Sequence, residues 1–363
     1  MFKSLLRDRV LLFLLVLAIA VKVFSLNEAW VEKYYTYGFY PFFSRGLRLL
    51  FGWLPFSLGD LVYVAAFVFL VFKGWKLIRL LTKRQVKEYL SWILFRKYLK
   101  LVLWIYILFN VFWGLNYNRL GIAHQLGLRV QSYSAGDVYQ LSAALQQRLN
   151  FYAARVDSTR RLTLNENKAL FKEGVAAYEK IRNTYPFLAY EQVSIKPSLF
   201  SGIGQFFGFT GYYNPFSGEA QIKTSVPVFV KPFILCHEIA HQLGYAKENE
   251  ANLISFLAGR ASDDAEFRYS AYWDVYLYAI RELRRYDTTG FKVLRQTVHP
   301  QVKKDYEAYL EYIYNNRNVV EPLMSEFYDS YLKMNNQPKG RETYNEVVAW
   351  LIAYMKKYGE EAF

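Results

Sequence analysis

The sequence predicts an α-helical membrane region of three spans over residues 1–117. A mainly α, α+β domain with a small β-sheet follows over residues 118–363. Three observations predict this. Long apolar runs crowd the first third of the chain and thin out after it. Basic residues crowd the segments between those runs. Beyond them, helix-period patterning is interrupted once, by a Gly-aromatic stretch flanked by strand-like alternation.

The first run, Val10 to Leu26, has membrane-spanning length and is interrupted by Lys22, whose stem can snorkel near a helix end. No small-residue cleavage site precedes Asn27, so this run is expected to stay as an anchor rather than leave as a signal peptide. Tyr34 to Phe56, rich in Tyr and Phe with Arg45 and Arg48, is expected at the membrane interface. A second run ends at Phe72, and a third covers Leu101 to about Trp113. A single run of this kind fits a buried core helix, but three in succession, each flanked by Lys or Arg, point to a bilayer. Between Lys73 and Lys100 stand nine basic residues against Glu88 alone, and Lys3, Arg7 and Arg9 mark the N-terminus. Short basic segments stay cytoplasmic. The expected protein is therefore integral to the cytoplasmic (inner) membrane, with a cytoplasmic N-terminus and an extracytoplasmic domain after about Asn116.

The formal charge of +14 invites a nucleic-acid reading, and its distribution removes it. Residues 1–117 carry 16 basic and 5 acidic side chains, leaving 29 basic and 26 acidic beyond them. The excess is a topology signal and a contact for anionic lipid, so the lipid bilayer is an expected partner and nucleic acid is not. The single Cys236 excludes an intramolecular disulfide. It is read as core packing.

In the second part, Ser134-Ala135-Gly136-Asp137 reads as a cap into a helix reaching about Arg155, and another helix is expected over Leu164–Asn183. Gln192 to Lys196 alternates like a strand. The stretch Phe200 to Pro215 lacks the lysine of a phosphate loop, and with Gly218 to Lys223 it reads as a hairpin region. Such a sheet edge, beside a cleft, pairs with extended peptide; a plain structural loop is the other reading. Residues 262–363 read as helices, with breaks near Asp287–Gly290 and Asn335–Gly340.

The chemistry lies in His237-Glu238-Ile239-Ala240-His241. Positions i and i+4 share a helix face, so the two imidazoles can meet one metal ion. Glu238 then sits beside it, where it can take a proton from a metal-bound water. The chain has only four histidines, and two fall at this spacing. Pro232 suits a first helical turn, and Gly244 suits a C-cap. A catalytic zinc site wants three protein ligands and one open position. The next helix, expected from Glu248, offers Glu248 and Glu250 as the third. Tyr344 or His299 is a candidate donor to a developing oxyanion. His124 reads as an ordinary surface residue.

The pair HEIAH and ENEAN resembles the gluzincin pattern, in which a HExxH helix is followed by ExxA[D/N]. That resemblance implies His237, His241 and Glu248 as zinc ligands, Glu250 as the competing choice, and Asn252 as support for a ligand histidine. Glu248 stands seven positions after His241, closer than in most gluzincins. Lys247 occupies the place of the metzincins' third histidine, so that pattern is not met. The wider chain resembles the domain-of-unknown-function 3810 family, through its apolar N-terminal third, Trp113-Gly114-Leu115-Asn116-Tyr117-Asn118-Arg119, the HEIAH–ENEAN unit and a helical C-terminal region. The resemblance implies a membrane-anchored, zincin-like metallopeptidase domain. On this basis a zinc-dependent peptidase acting on a peptide or protein substrate, with Glu238 as general base, is expected. The alternative is a catalytically silent zincin-fold membrane protein with a sensing or assembly role.

Overall fold

A computed structural model describes residues 8–82, 92–338 and 346–363. Helix α1 (Arg9–Ser25) starts on Asp8, whose side chain accepts from the Leu11 amide. It lies parallel to α4 (Trp92–Phe112). Asp8 meets Lys100 at one end, Leu14 and Ala18 pack on Ile107 in the middle, and Val21 shares a cluster with Trp113 at the other. After α1 the chain bends by 96° into Glu28–Phe51. Val31–Phe39 is wound as a π-helix and runs directly into α2 (Tyr40–Phe51).

Helix α3 (Leu58–Thr82) begins inside the second part of the molecule and leaves it. Glu219 accepts from the amides of Leu58 and Gly59, at 3.1 and 2.7 Å, an anion placed where a helix start presents bare N–H groups. Asp60 accepts from the Leu199 amide and from the Tyr212 hydroxyl. Beyond Asp60 the helix leaves the core, with residues 61–72 exposed. Among the described residues, Leu58–Lys76 is the one helix long and apolar enough to cross a membrane alone, and the bent pair around residue 26 makes a second if counted as one span. Of the other expected runs, α1 has 17 residues, and α4 carries Arg96, Lys97 and Lys100 in its first half.

The remainder is helical around a three-stranded sheet. α5 (Gly121–Gln125) leads to α6 (Ala135–Ala153), whose start is the capping box Ser134–Asp137. The helix expected over 164–183 is α8 (Asn167–Thr184); a short α7 (Ser158–Asn165) precedes it, and Glu166, extended at ψ 125°, separates the two. Strands β1 (Ile195–Pro197), β2 (Gly211–Asn214) and β3 (Glu219–Ile222) lie in the order β1-β3-β2. β1 runs parallel to β3 with Ile195 opposite Ala220, and β2 antiparallel with Tyr213 opposite Ala220. The β2–β3 hairpin turns on Asn214, which accepts from the Phe216 and Ser217 amides, and on Gly218 at φ 71°.

Helix α9 (Lys231–Gln242) is the centre of the core. It lies between the sheet and α10 (Glu248–Ala261), with α8 and α11 (Ala265–Tyr286) packed around it. Nearly every α9 side chain is buried. α8 comes close because Gly174 leaves room for Leu235; a Cβ there would lie 2.3 Å from a Leu235 methyl. Among the described residues, four helices follow: α12 (Thr288–Gln296), α13 (Pro300–Asn315), α14 (Glu321–Met334) and α15 (Val347–Tyr358).

Candidate metal centre

Three local choices set up the centre. Pro232 occupies the first turn of α9, where its missing N–H costs nothing. Gly244 ends the turn after α9 at φ 89°, which a side chain adopts only with strain. α10 then starts at Glu248 and runs back along α9. His237 and His241 stand one turn apart, edge to face with ring centroids 4.6 Å apart, and Glu248 meets both from α10. Glu248 Oε2 lies 3.1 Å from His237 Nε2 and 3.6 Å from His241 Nε2.

These donors suit one ion. The three ligand atoms lie within 4.8 Å of one another. Bonds of about 2.0–2.1 Å in a tetrahedron space donors roughly 3.3 Å apart, close to both carboxylate–imidazole distances. The supports orient the donors. His241 Nδ1 is 2.7 Å from the Tyr245 carbonyl, which can only accept, so Nδ1 carries a proton and Nε2 is the ring nitrogen turned toward Glu248. Asn252 hydrogen-bonds the His237 ring, and its Nδ2 has no partner, which leaves its amide oxygen to accept. Tyr328 of α14 donates to Glu248 Oε1 at 2.7 Å, and Trp113 Nε1 donates to the His241 carbonyl at 3.2 Å.

Charge follows the same geometry. Burial works against the Glu248 anion, yet the two imidazoles hold its carboxyl well below the usual range. Burial would lower His241, but Glu248 beside it lifts it to about 9; His237 is lowered by burial. Glu238 does not join the donors. Burial pushes its carboxyl up to about 8, and its Oε2 has no hydrogen-bond partner. The outer strand β2 closes over it: a Cβ on Gly211 would lie 2.5 Å from Glu238 Oε1.

Glu250 is not part of this cluster. It faces the start of α5, where a Cβ on Gly121 would lie 1.8 Å from its Oε1, on the side of Arg119 and Glu32. His299 caps α13, accepting from the Gln301 amide, and does not line the cavity. Tyr344 lies outside the described residues. His124 is exposed, and Cys236 is buried with its thiol raised by burial. Sequence reasoning missed Tyr328 and Trp113, because each comes from a distant segment and no local spacing links it to α9.

The first 117 residues also reach this site. Gln242, next to His241, ties them to the sheet. Its backbone carbonyl accepts from Tyr40 and Ser44, and its side-chain amide binds the Ser194 and Gly218 carbonyls and the Tyr190 hydroxyl. A cavity of about 1340 Å³ opens over the cluster, floored by His237, Glu238, His241 and Glu248. Asp274, Tyr278 and Arg281 of α11 form part of its wall.

A HExxH helix and an acidic helix, packed beside a three-stranded sheet and an apolar helical region, define the class of architecture. The chain belongs to the family described as protein of unknown function DUF3810, whose model matches residues 35–352. No curated protein and no solved structure matches it.

Proposed function

We propose that this chain is a zinc-dependent metallopeptidase of the gluzincin type. In this reading three spans hold it in the cytoplasmic membrane, with its N-terminus inside and its catalytic domain outside. The observation that carries the reading is the meeting of His237, His241 and Glu248 beside a partnerless Glu238 oxygen on the floor of one cavity. The three-span topology is supported by helix directions. α1 and α4 run parallel and end at the domain, whereas α3 begins there and leaves.

A bound Zn2+ supplies Lewis-acid polarisation of a carbonyl and acidifies water. The rest of the chemistry belongs to the chain. His237, His241 and Glu248 hold the ion, while the Tyr245 carbonyl and Asn252 fix the ring orientations. Glu238 takes a proton from the attacking water at its free Oε2 and returns it to the leaving amine. Burial raises that carboxyl, and a cation bound beside it would draw it back toward the ionised form that accepts the proton. The outer strand β2 aligns the substrate main chain in extended form.

The full-length protein in detergent is expected to carry one zinc per chain by elemental analysis, and a His237→Ala, His241→Ala double variant is expected to carry none. Glu238→Gln should keep its zinc while cleavage of a peptide library falls by ~10²–10⁴-fold. Zinc retained by the double variant would defeat the reading. Zinc present, with no cleavage by the unmutated protein, would mark a catalytically silent zincin-fold membrane protein with a sensing or assembly role.

A further inference from the structure

Part of the cavity wall is the opening stretch of the membrane-crossing helix. Tyr63, Val64 and Phe67 of α3 line it, with Ile203 and Phe207 of the Gly-aromatic stretch and Phe327 of α14. All six are exposed, from 37% for Tyr63 to 69% for Phe327. Phe67 lies nine positions past the first residue of α3, about 13 Å along a helix axis. The six come from three elements, and exposed apolar side chains gathered at one opening mark a membrane or apolar-partner surface.

The wall is locked to the reacting floor. Tyr212 and the Leu199 amide hold Asp60 at the start of α3, and Glu219 of β3 holds the Leu58 and Gly59 amides. Tyr212 neighbours Gly211, which closes on Glu238. A chain lying against β2 therefore leads from Glu238 to α3 and the apolar layer around it. The cavity, at about 1340 Å³, exceeds the roughly 300–1,000 Å³ of small-ligand sites and suits a peptide segment.

We propose that the substrate is a peptide carrying its own membrane anchor, which enters the cleft sideways from the bilayer along α3 and lays its main chain against β2. This names the substrate class of the metallopeptidase reading and rests on it. The test uses the full-length Glu238→Gln protein in lipid nanodiscs, with the photo-crosslinking residue benzoyl-phenylalanine at position 67 or at position 69. Phe69 is exposed on the same helix but does not line the cavity. The probe is a synthetic peptide of ten polar residues followed by a Leu/Ala span of about 20 residues, offered beside the same polar peptide without the span. The expected result is labelling of the anchored peptide at position 67 several-fold above position 69, and no labelling of the free peptide. Equal labelling at 67 and 69, or equal labelling of the free peptide at 67, would overturn the proposal. Labelling needs no turnover. Face-specific labelling by a protein whose unmutated form cleaves nothing would thus count against the peptidase reading and leave the entry route standing.

Discussion

Glu248 and Glu250 stand two positions apart on α10, about 200° around a helix, and so face different neighbours. Glu248 meets both imidazoles and Tyr328, while Glu250 is enclosed by Gly121 and the Arg119 side. Glu248→Gln is therefore expected to strip zinc from the purified protein, and Glu250→Gln to leave the metal content unchanged; elemental analysis of the two variants decides it. Asn252→Ala should weaken metal affinity by roughly 10–100-fold, measured by competition with a chelator. Both glutamates were legible in the sequence as candidates. Only rotation around the finished helix separates them. Asp274, in the cavity wall, was not legible at all. Burial pushes its carboxyl from 3.8 up to about 7, against the pull of Arg281 on the same helix and beside Tyr309 of α13. A carboxyl raised on folding favours the folded state while protonated. Its contribution is full below about pH 4 and is lost as pH rises through about 7. Asp274→Asn should flatten the fall in thermal stability across that window, read as Tm against pH in detergent.

At the scale of elements, helix α9 and the turn after it are held by segments far away in sequence. The buried Arg119 guanidinium binds Glu32 of the π-wound segment through Nε and Nη2, at 3.3 and 3.2 Å. Its Nη1 donates to the Gly244 carbonyl at 3.1 Å, and its plane lies over the Tyr245 ring. Arg119 thus clamps the turn that presents the Tyr245 carbonyl to His241. Removing one partner of a buried ion pair costs about 3–5 kcal/mol, because the other charge is left without compensation. Arg119→Ala is expected to lose that much in chemical denaturation, and metal affinity should fall with it. The sequence shows α9 and its caps plainly, since Pro232, HEIAH and Gly244 are local signals. It hides the clamp, because Glu32 and Arg119 are 87 positions apart and lie in what reads as membrane-proximal chain.

At the scale of the whole molecule, the apolar first third is wall and foundation of the site. Tyr40, Ser44 and Trp113 hydrogen-bond the last turn of α9, and the start of α3 is seated on β3. The proposed topology puts the helical domain outside the cytoplasm. A cysteine replacing the exposed Lys292 should react with a membrane-impermeant maleimide in intact cells. The native Cys236 is fully buried and adds little background. Labelling that appears only after the inner membrane is opened would reverse the orientation.

The amino-acid sequence by itself determined the helical character, the capped helix over 135–153, the hairpin ahead of HEIAH and the paired histidines, because each rests on neighbours within a few residues. Only the tertiary structure decided which acidic residue joins the histidines, that Gly211 closes on Glu238, and that Tyr328 and Trp113 support the donors. It likewise decided that α3 forms part of the cavity. Glu248 lies only 7 and 11 positions from the histidines, but the other contacts join segments tens to more than a hundred positions apart. Their pairing comes from burial of one shared core, a property of the folded chain that no local pattern encodes.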